Sequence, residues 1–175
     1  MLDLFSDTPP WQEPLAPGAV VLRRFSRERA PALLQAIADV ARQSPFRQMV
    51  TPGGYTMSVA MTNCGALGWT TDRHGYLYDP VDPLTDQTWP PMPAVFRELA
   101  LAAAAAGGYP NFSPDACLIN RYQPGAKLSL HQDKDEQDLR APIVSVSLGL
   151  PAIFQFGGLQ RSDPLQRLLL EHGDV

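Results

Sequence analysis

The chain has 175 residues, of which 45% are hydrophobic and 18% charged, with a formal net charge of −4; this is an ordinary balance for one globular domain. The charge excludes a polycation that holds nucleic acid by total charge, and no apolar run approaches the roughly 18 residues of a membrane span. Met1-Leu-Asp-Leu-Phe-Ser-Asp7 has neither the basic nor the apolar region of a secretory signal, so a cytoplasmic protein is expected. Cys64 and Cys117 fit no Cys-x-x-Cys pattern and are expected as free thiols in a reducing compartment.

Proline is abundant, at 18 residues, about twice the usual share, which favours strands and ordered loops over a helical bundle. Residues 1–18 read as irregular. Ala19–Phe25 reads as a first strand. Ser26 is placed to cap a helix running to about Gln43, because Leu33, Leu34, Ile37, Val40 and Ala41 recur on one face. Residues 45–92 are turn-rich and aromatic, with strand alternation in Thr56–Thr62. Such a segment is either a binding lid or a hairpin that merely covers the core. Pro93–Ala106 reads as a second helix, opened by proline and closed by Gly107-Gly108. After it the period changes to two. Short strands are expected at 117–122, 127–131, 143–148, 152–156 and 167–171, separated by turn signals such as Pro124-Gly125 and Gly157-Gly158. The class is therefore α+β, mainly β, with two helices ahead of an antiparallel sandwich or barrel.

His131-Gln-Asp133 closes one of these strand patterns. Residues i and i+2 of a strand share a face, so an imidazole and a carboxylate converge there. These are two of the three ligands of a 2-His-1-carboxylate iron site; alone, the pair is a weak signal and reads more readily as a surface histidine beside an aspartate. The wider order is more specific: Asn120-x-Tyr122, Pro124-Gly125, Leu128-x-x-His131-x-Asp133, then Val146-Ser-Leu-Gly149. This set resembles the AlkB family of Fe(II)/2-oxoglutarate dioxygenases. The likeness extends through Ser44–Gly65 and Gly68-Trp-Thr-Thr71, and so over essentially the whole chain.

The resemblance implies a double-stranded β-helix, or jelly-roll, core with a nucleotide-recognition lid: one domain over 1–175, the lid at about 45–92 and the core at about 115–175. It implies oxidation of the methyl group on 1-methyladenine or 3-methylcytosine in single-stranded DNA, with RNA open as a second substrate. The cofactors are Fe(II) and 2-oxoglutarate, with molecular oxygen as co-substrate. Carried over position by position, His131 and Asp133 become iron ligands, and Asn120 and Tyr122 contacts to 2-oxoglutarate. Trp69 stacks on the alkylated base with His131 opposite. Asp135 reads the exocyclic amino group, and its charge suits a cationic methylated ring. Thr51, Tyr76, Lys134 and Arg161 match positions that touch the strand, and Met57 and Met61 line the lid. Arg47, Arg73, Lys127, Lys134 and Arg161 are candidates for a local basic stripe.

The family's second iron-binding histidine and its 2-oxoglutarate arginine are placed on strands beyond Val175. The jelly-roll is therefore expected to be incomplete at the C-terminus, and the 175 residues alone to turn over weakly. Of the other histidines, His74 reads as a surface residue. His172-Gly-Asp174 reads as a turn rather than a replacement ligand pair. A monomer is expected. A non-catalytic module that binds damaged strands, and an oxygenase of the same reaction class on another substrate, stand as alternatives.

Overall fold

The computed structural model describes residues 9–133 and 138–175. The chain divides into two compact units, one of residues 32–98 and 113–131 and the other of residues 1–31, 99–112 and 132–175.

The first unit is built on a three-stranded antiparallel sheet of β3 (Arg47–Val50), β4 (Thr56–Gly65) and β9 (Ala116–Arg121), in the order β3-β4-β9. β4 is the long central strand. It pairs Arg47 with Met61 on one side, and Met61 with Asn120 and Cys64 with Cys117 on the other. Its alternation buries both faces. On one face Val40, Cys64 and Ile119 form a core against Ile37, Phe46 and Phe96. On the other, Met49, Val59 and Met61 form a second core. β5 (Gly68–Asp72) and β6 (Gly75–Asp79) make a hairpin, and β7 (Val81–Asp82) pairs briefly with β8 (Gln87–Thr88).

The helices are where the 3.6 period places them. α1 spans Ala30–Gln43 and α2 spans Ala94–Ala106. α1 ends ahead of Pro45, since the residue before a proline disfavours helix. α2 ends at Gly107-Gly108, with Gly108 at φ +96°, the left-handed conformation glycine takes after a helix. Among the described residues no helix is long and apolar enough to cross a membrane.

The second unit contains two hairpins. β1 (Trp11–Ala16) pairs with β2 (Ala19–Arg23), and β10 (Ala152–Phe156) pairs with β11 (Gln166–Leu170). Residues 171–175 turn back onto β2: Leu22 and Val175 exchange both backbone hydrogen bonds, at 2.7 and 3.0 Å. Asp174 is fully buried in this turn. It accepts from Arg23 Nη1 at 2.6 Å and from the Arg24 and Glu171 amides at 2.9 Å. Gly173 has φ +93°, and a Cβ there would lie 2.9 Å from the Arg27 backbone, so this turn requires glycine.

Four expectations need correction. Residues 11–16 are a strand, not irregular chain; Pro14 costs one ladder donor, and the register shifts beside it. Ser26 does not cap α1. A single 3-10 turn at Arg27–Arg29 intervenes, and the Ser26 hydroxyl donates to the Gly173 carbonyl at 3.1 Å. Among the described residues, 127–131 form no ladder. The Ser58 hydroxyl takes a rung's place, donating to the Lys127 carbonyl and accepting from its amide, both at 3.1 Å. Residues 143–148 form none either. One reciprocal pair ties them down, Ser147 N to the Asp174 carbonyl at 2.9 Å and Gly173 N to the Ser147 carbonyl at 2.8 Å.

Candidate active site

The face of β4 that carries Met57, Val59 and Met61 brings together Asn120 and Trp69 of the expected site. Met61 stands directly opposite Asn120, and directly opposed residues of an antiparallel pair share a face. Val59 and Met61 are buried there with Met49, and Met57, Trp69, Ala126 and Leu128 pack against them. Asn120 lies exposed beside this apolar floor. Tyr122 follows just past the end of β9, 52% exposed; its partial burial pushes the phenol above its ordinary range. Leu128 brings the chain to within three residues of His131.

Trp69 is half-buried on β5. Its ring stacks on Tyr76 of β6, with centroids 5.7 Å apart and planes 23° from parallel. Its backbone is clamped by a residue that the sequence pattern did not single out. Asn63, fully buried, donates from Nδ2 to the Trp69 carbonyl at 2.9 Å and accepts the Trp69 amide at Oδ1 at 3.0 Å. The side-chain amide thus takes the place of a neighbouring strand and sets where the indole stands. The one signal was an Asn six residues ahead of a Trp across a Gly-containing turn. Thr51 closes the turn between β3 and β4, where its hydroxyl accepts the Tyr55 amide at 3.2 Å.

His131 Nδ1 lies 2.7 Å from the Ser129 carbonyl oxygen. A carbonyl only accepts, so Nδ1 carries the proton and the lone pair of the neutral ring sits on Nε2. That is the tautomer in which a histidine ligates metal while its other nitrogen is anchored. Asp133 is exposed. Because 127–131 is not a laddered strand, its relation to His131 rests on the two-residue spacing and not on strand alternation. Lys134 and Asp135 lie outside the described residues. Arg161 is exposed in the loop between β10 and β11, beside a turn in which Asp163 accepts the Gln160 amide at 2.9 Å.

Among the described residues no three His, Cys, Asp or Glu side chains gather as a metal site. His74 pairs with Asp72 at 3.2 Å on the surface, as its surface reading anticipates. His172 Nδ1 accepts the Gly149 amide at 3.0 Å, and Asp174 is committed to Arg23, so His172-Gly-Asp174 is a structural turn. Both cysteines are free; the Cys64 thiol, buried and hydrogen-bonded to Cys117, is pushed far up.

One expected member of the basic stripe does not belong to it. Arg47 lies 2.6 Å from Asp82, whose side chain is 1% exposed. The Ser44 hydroxyl also donates to that carboxylate, and the Leu84 amide does so at 2.8 Å. The Arg47 guanidinium lies 5.4 Å over the Trp89 ring. Burial alone would raise the Asp82 pKa, but the bonds from Arg47 and Ser44 outweigh it and hold the carboxyl below its ordinary range. Arg47 therefore braces the interior.

A family model described as the 2OG-Fe(II) oxygenase superfamily matches residues 18–175. The chain is 76% identical over 175 residues to the alpha-ketoglutarate-dependent dioxygenase AlkB of Escherichia coli K12, covering all of this chain and 81% of that protein. It is 46% identical over 144 residues to the AlkB homolog of Caulobacter vibrioides, covering 82% of this chain and 64% of that protein. The solved structure of OsALKBH1 superposes with a TM-score of 0.78 at 29% identity, over 93% of this chain and 80% of that one.

Proposed function

The chain belongs to the 2OG-Fe(II) oxygenase superfamily, and from that premise we propose that it removes methyl groups from 1-methyladenine and 3-methylcytosine in single-stranded DNA, with RNA as a second substrate. It is an Fe(II)- and 2-oxoglutarate-dependent dioxygenase of the nucleic-acid repair type, and its strands and two helices build that family's jelly-roll class of fold. Single strands suit a site that needs the base out of the stack. We place the protein in the cytoplasm as a monomer, with its two thiols in keeping with a reducing compartment.

His131 and Asp133 fit an iron centre in donor type, and His131 also in tautomer; they supply two of the three protein ligands of a facial triad. When bound there, the iron would supply, with molecular oxygen and 2-oxoglutarate, hydroxylation of the N-methyl group, which is then lost as formaldehyde, while 2-oxoglutarate is decarboxylated to succinate and carbon dioxide. The remaining roles belong to the chain's own side chains. Asn120 and Tyr122 hydrogen-bond 2-oxoglutarate. Trp69, held by Asn63, presents the aromatic face on which the base stacks, and the Met49–Val59–Met61 core beneath it keeps that side dry. Tyr76, Thr51, Lys134 and Arg161 meet the strand, and Asp135 meets the cationic base. Residues 45–92 serve as the lid.

The observation that carries this reading is a single sheet face on which Asn120, Met61 and the packed Trp69 come together three residues short of His131. Incubation with Fe(II), 2-oxoglutarate and an oligonucleotide bearing one 1-methyladenine, followed by mass spectrometry, tests it. Slow loss of one methyl mass is expected of these 175 residues, and Asp133→Ala abolishes that loss. An unchanged mass, with methylated strands bound equally well after iron is chelated, favours instead a module that only binds damage. The observation behind that second reading is that, among the described residues, no three metal-ligating side chains gather.

A further inference from the structure

The opposite face of the β3-β4-β9 sheet carries a second polar feature that the base site does not use. Alternation along β9 points Cys117, Ile119 and Arg121 to this face while Asn120 points to the other. Ile119 and Cys64 are covered here by Val40 and Ile37 of α1 and by Phe96 of α2. Beyond that cover the face opens into a cavity of about 250 Å³, lined by Phe46, Gln48, Ser58, Ala60, Arg121 and Gln123.

Arg121 dominates the cavity. Its guanidinium lies 4.4 Å over the Phe46 ring, which fixes the plane and leaves the N–H edges directed around it. Among the described residues no Asp or Glu lines the cavity and no carboxylate pairs with Arg121. The wall is tied in place. Gln48 Nε2 donates to the Ser58 carbonyl at 3.3 Å, and the Ser58 hydroxyl is bonded to both backbone groups of Lys127. Lys127 is exposed next to this wall. A planar cation on an aromatic platform, flanked by glutamine amides and free of competing acids, matches an acceptor-only group with several oxygens. On a chain of net charge −4, such a local site is what strand binding requires.

We propose that the Arg121–Phe46 pocket takes a backbone phosphate of the nucleic-acid strand, at a distance from the base under repair. The inference rests on the nucleic-acid reading above. It assigns the strand a second anchor, across the sheet from Asn120, that the sequence pattern did not single out.

The test compares the whole chain with Arg121→Gln and Arg121→Lys. Labelled unmethylated single strands of about five and about fifteen nucleotides, which bracket common binding-site sizes, are titrated by fluorescence anisotropy at several salt concentrations. For Arg121→Gln the expected result is a several-fold weaker Kd for the long strand, and a slope of log K against log salt shallower by about one. The short strand changes little, and Arg121→Lys retains part of the affinity. Equal affinities and equal salt slopes for both strands overturn the proposal. Inorganic phosphate alone is titrated as the second arm. Saturation of the wild type by phosphate, with no loss of strand affinity in Arg121→Gln, also overturns it and assigns the pocket to a free oxyanion. Thermal melting of each variant separates misfolding from lost binding, and Arg121→Lys keeps a cation over Phe46 should glutamine destabilise. Because these strands carry no methylated base, failure of the demethylation reading leaves this result standing, and the reverse holds too.

Discussion

β4 and β10 both carry apolar side chains in an antiparallel pair, yet they end in opposite surroundings. β4 has neighbours on both edges and cover on both faces. Val59, Met61, Thr62, Asn63 and Cys64 are all buried. β10 pairs only with β11 among the described residues, and Ile153 and Phe154 remain 63% and 44% exposed, with Leu169 opposite at 46%. The two strands have the same grammar. What separates them is the number of elements each can bury against, so burial is a property of the assembly and not of the strand.

The sharpest way to break the comparison is to disturb what braces the buried region. Asp82→Ala leaves the Arg47 guanidinium buried without its carboxylate and is expected to cost about 3–5 kcal/mol of stability, measured by urea unfolding. A loss below about 1 kcal/mol would mean that solvent reaches Arg47. The same pair predicts an acid dependence. The Asp82 carboxyl is held below its ordinary range in the fold, so its contribution is fully present above the unfolded carboxyl's pKa of about 3.9. It is lost as pH falls from there through the lower folded value. In Asp82→Ala that part of the acid limb flattens.

Core truncation comes next. Met61→Ala, at a position 1% exposed, is expected to cost about 2–5 kcal/mol. Ile153→Ala, on the open hairpin, stays within about 0.5 kcal/mol. Equal costs by chemical denaturation would show that β10 is buried in solution and remove the contrast. Asn63→Ala is the subtler case. It leaves the amide and carbonyl of Trp69 unpaired, at about 1–3 kcal/mol, and its distinguishing effect is on the indole. Trp69 fluorescence, read in a background in which Trp11 and Trp89 are Phe, is expected to shift red, and KM for a methylated strand to rise more than kcat falls. A loss of stability with Trp69 emission and KM unchanged would reduce Asn63 to a structural residue.

Much of this was legible in one dimension. The period of α1 and α2, their proline and glycine boundaries, and the alternation of β4, β9, β10 and β11 all depend on neighbours a few residues away. The His131-x-Asp133 and Asn120-x-Tyr122 readings have the same short range, and the roles they carry belong to the proposal. β1 escaped because Pro14 argues locally against a strand, and only pairing with β2 reveals that the chain tolerates it there. Ser26 had the signature of a cap, but a carbonyl 147 residues away in the sequence claimed its hydroxyl. Residues 127–131 and 143–148 alternate correctly and still form no ladder, because a ladder needs a second strand in register and alternation cannot supply one.

The sequence by itself thus determined the helices, the strands β2, β4, β9, β10 and β11, and the family, because each is written in local periodicity or in a short ordered motif. Tertiary structure alone decided that Arg47 braces Asp82, 35 residues away, instead of facing a phosphate. It decided that Asn63 holds Trp69, and that Arg121 and Asn120, neighbours in the chain, serve opposite faces of one sheet with different cover. The physical reason is the same in each case. A side chain's type limits which bonds it can make, but its partner is whatever the folded chain brings within about 3 Å of it, and that distance is not encoded at any single position.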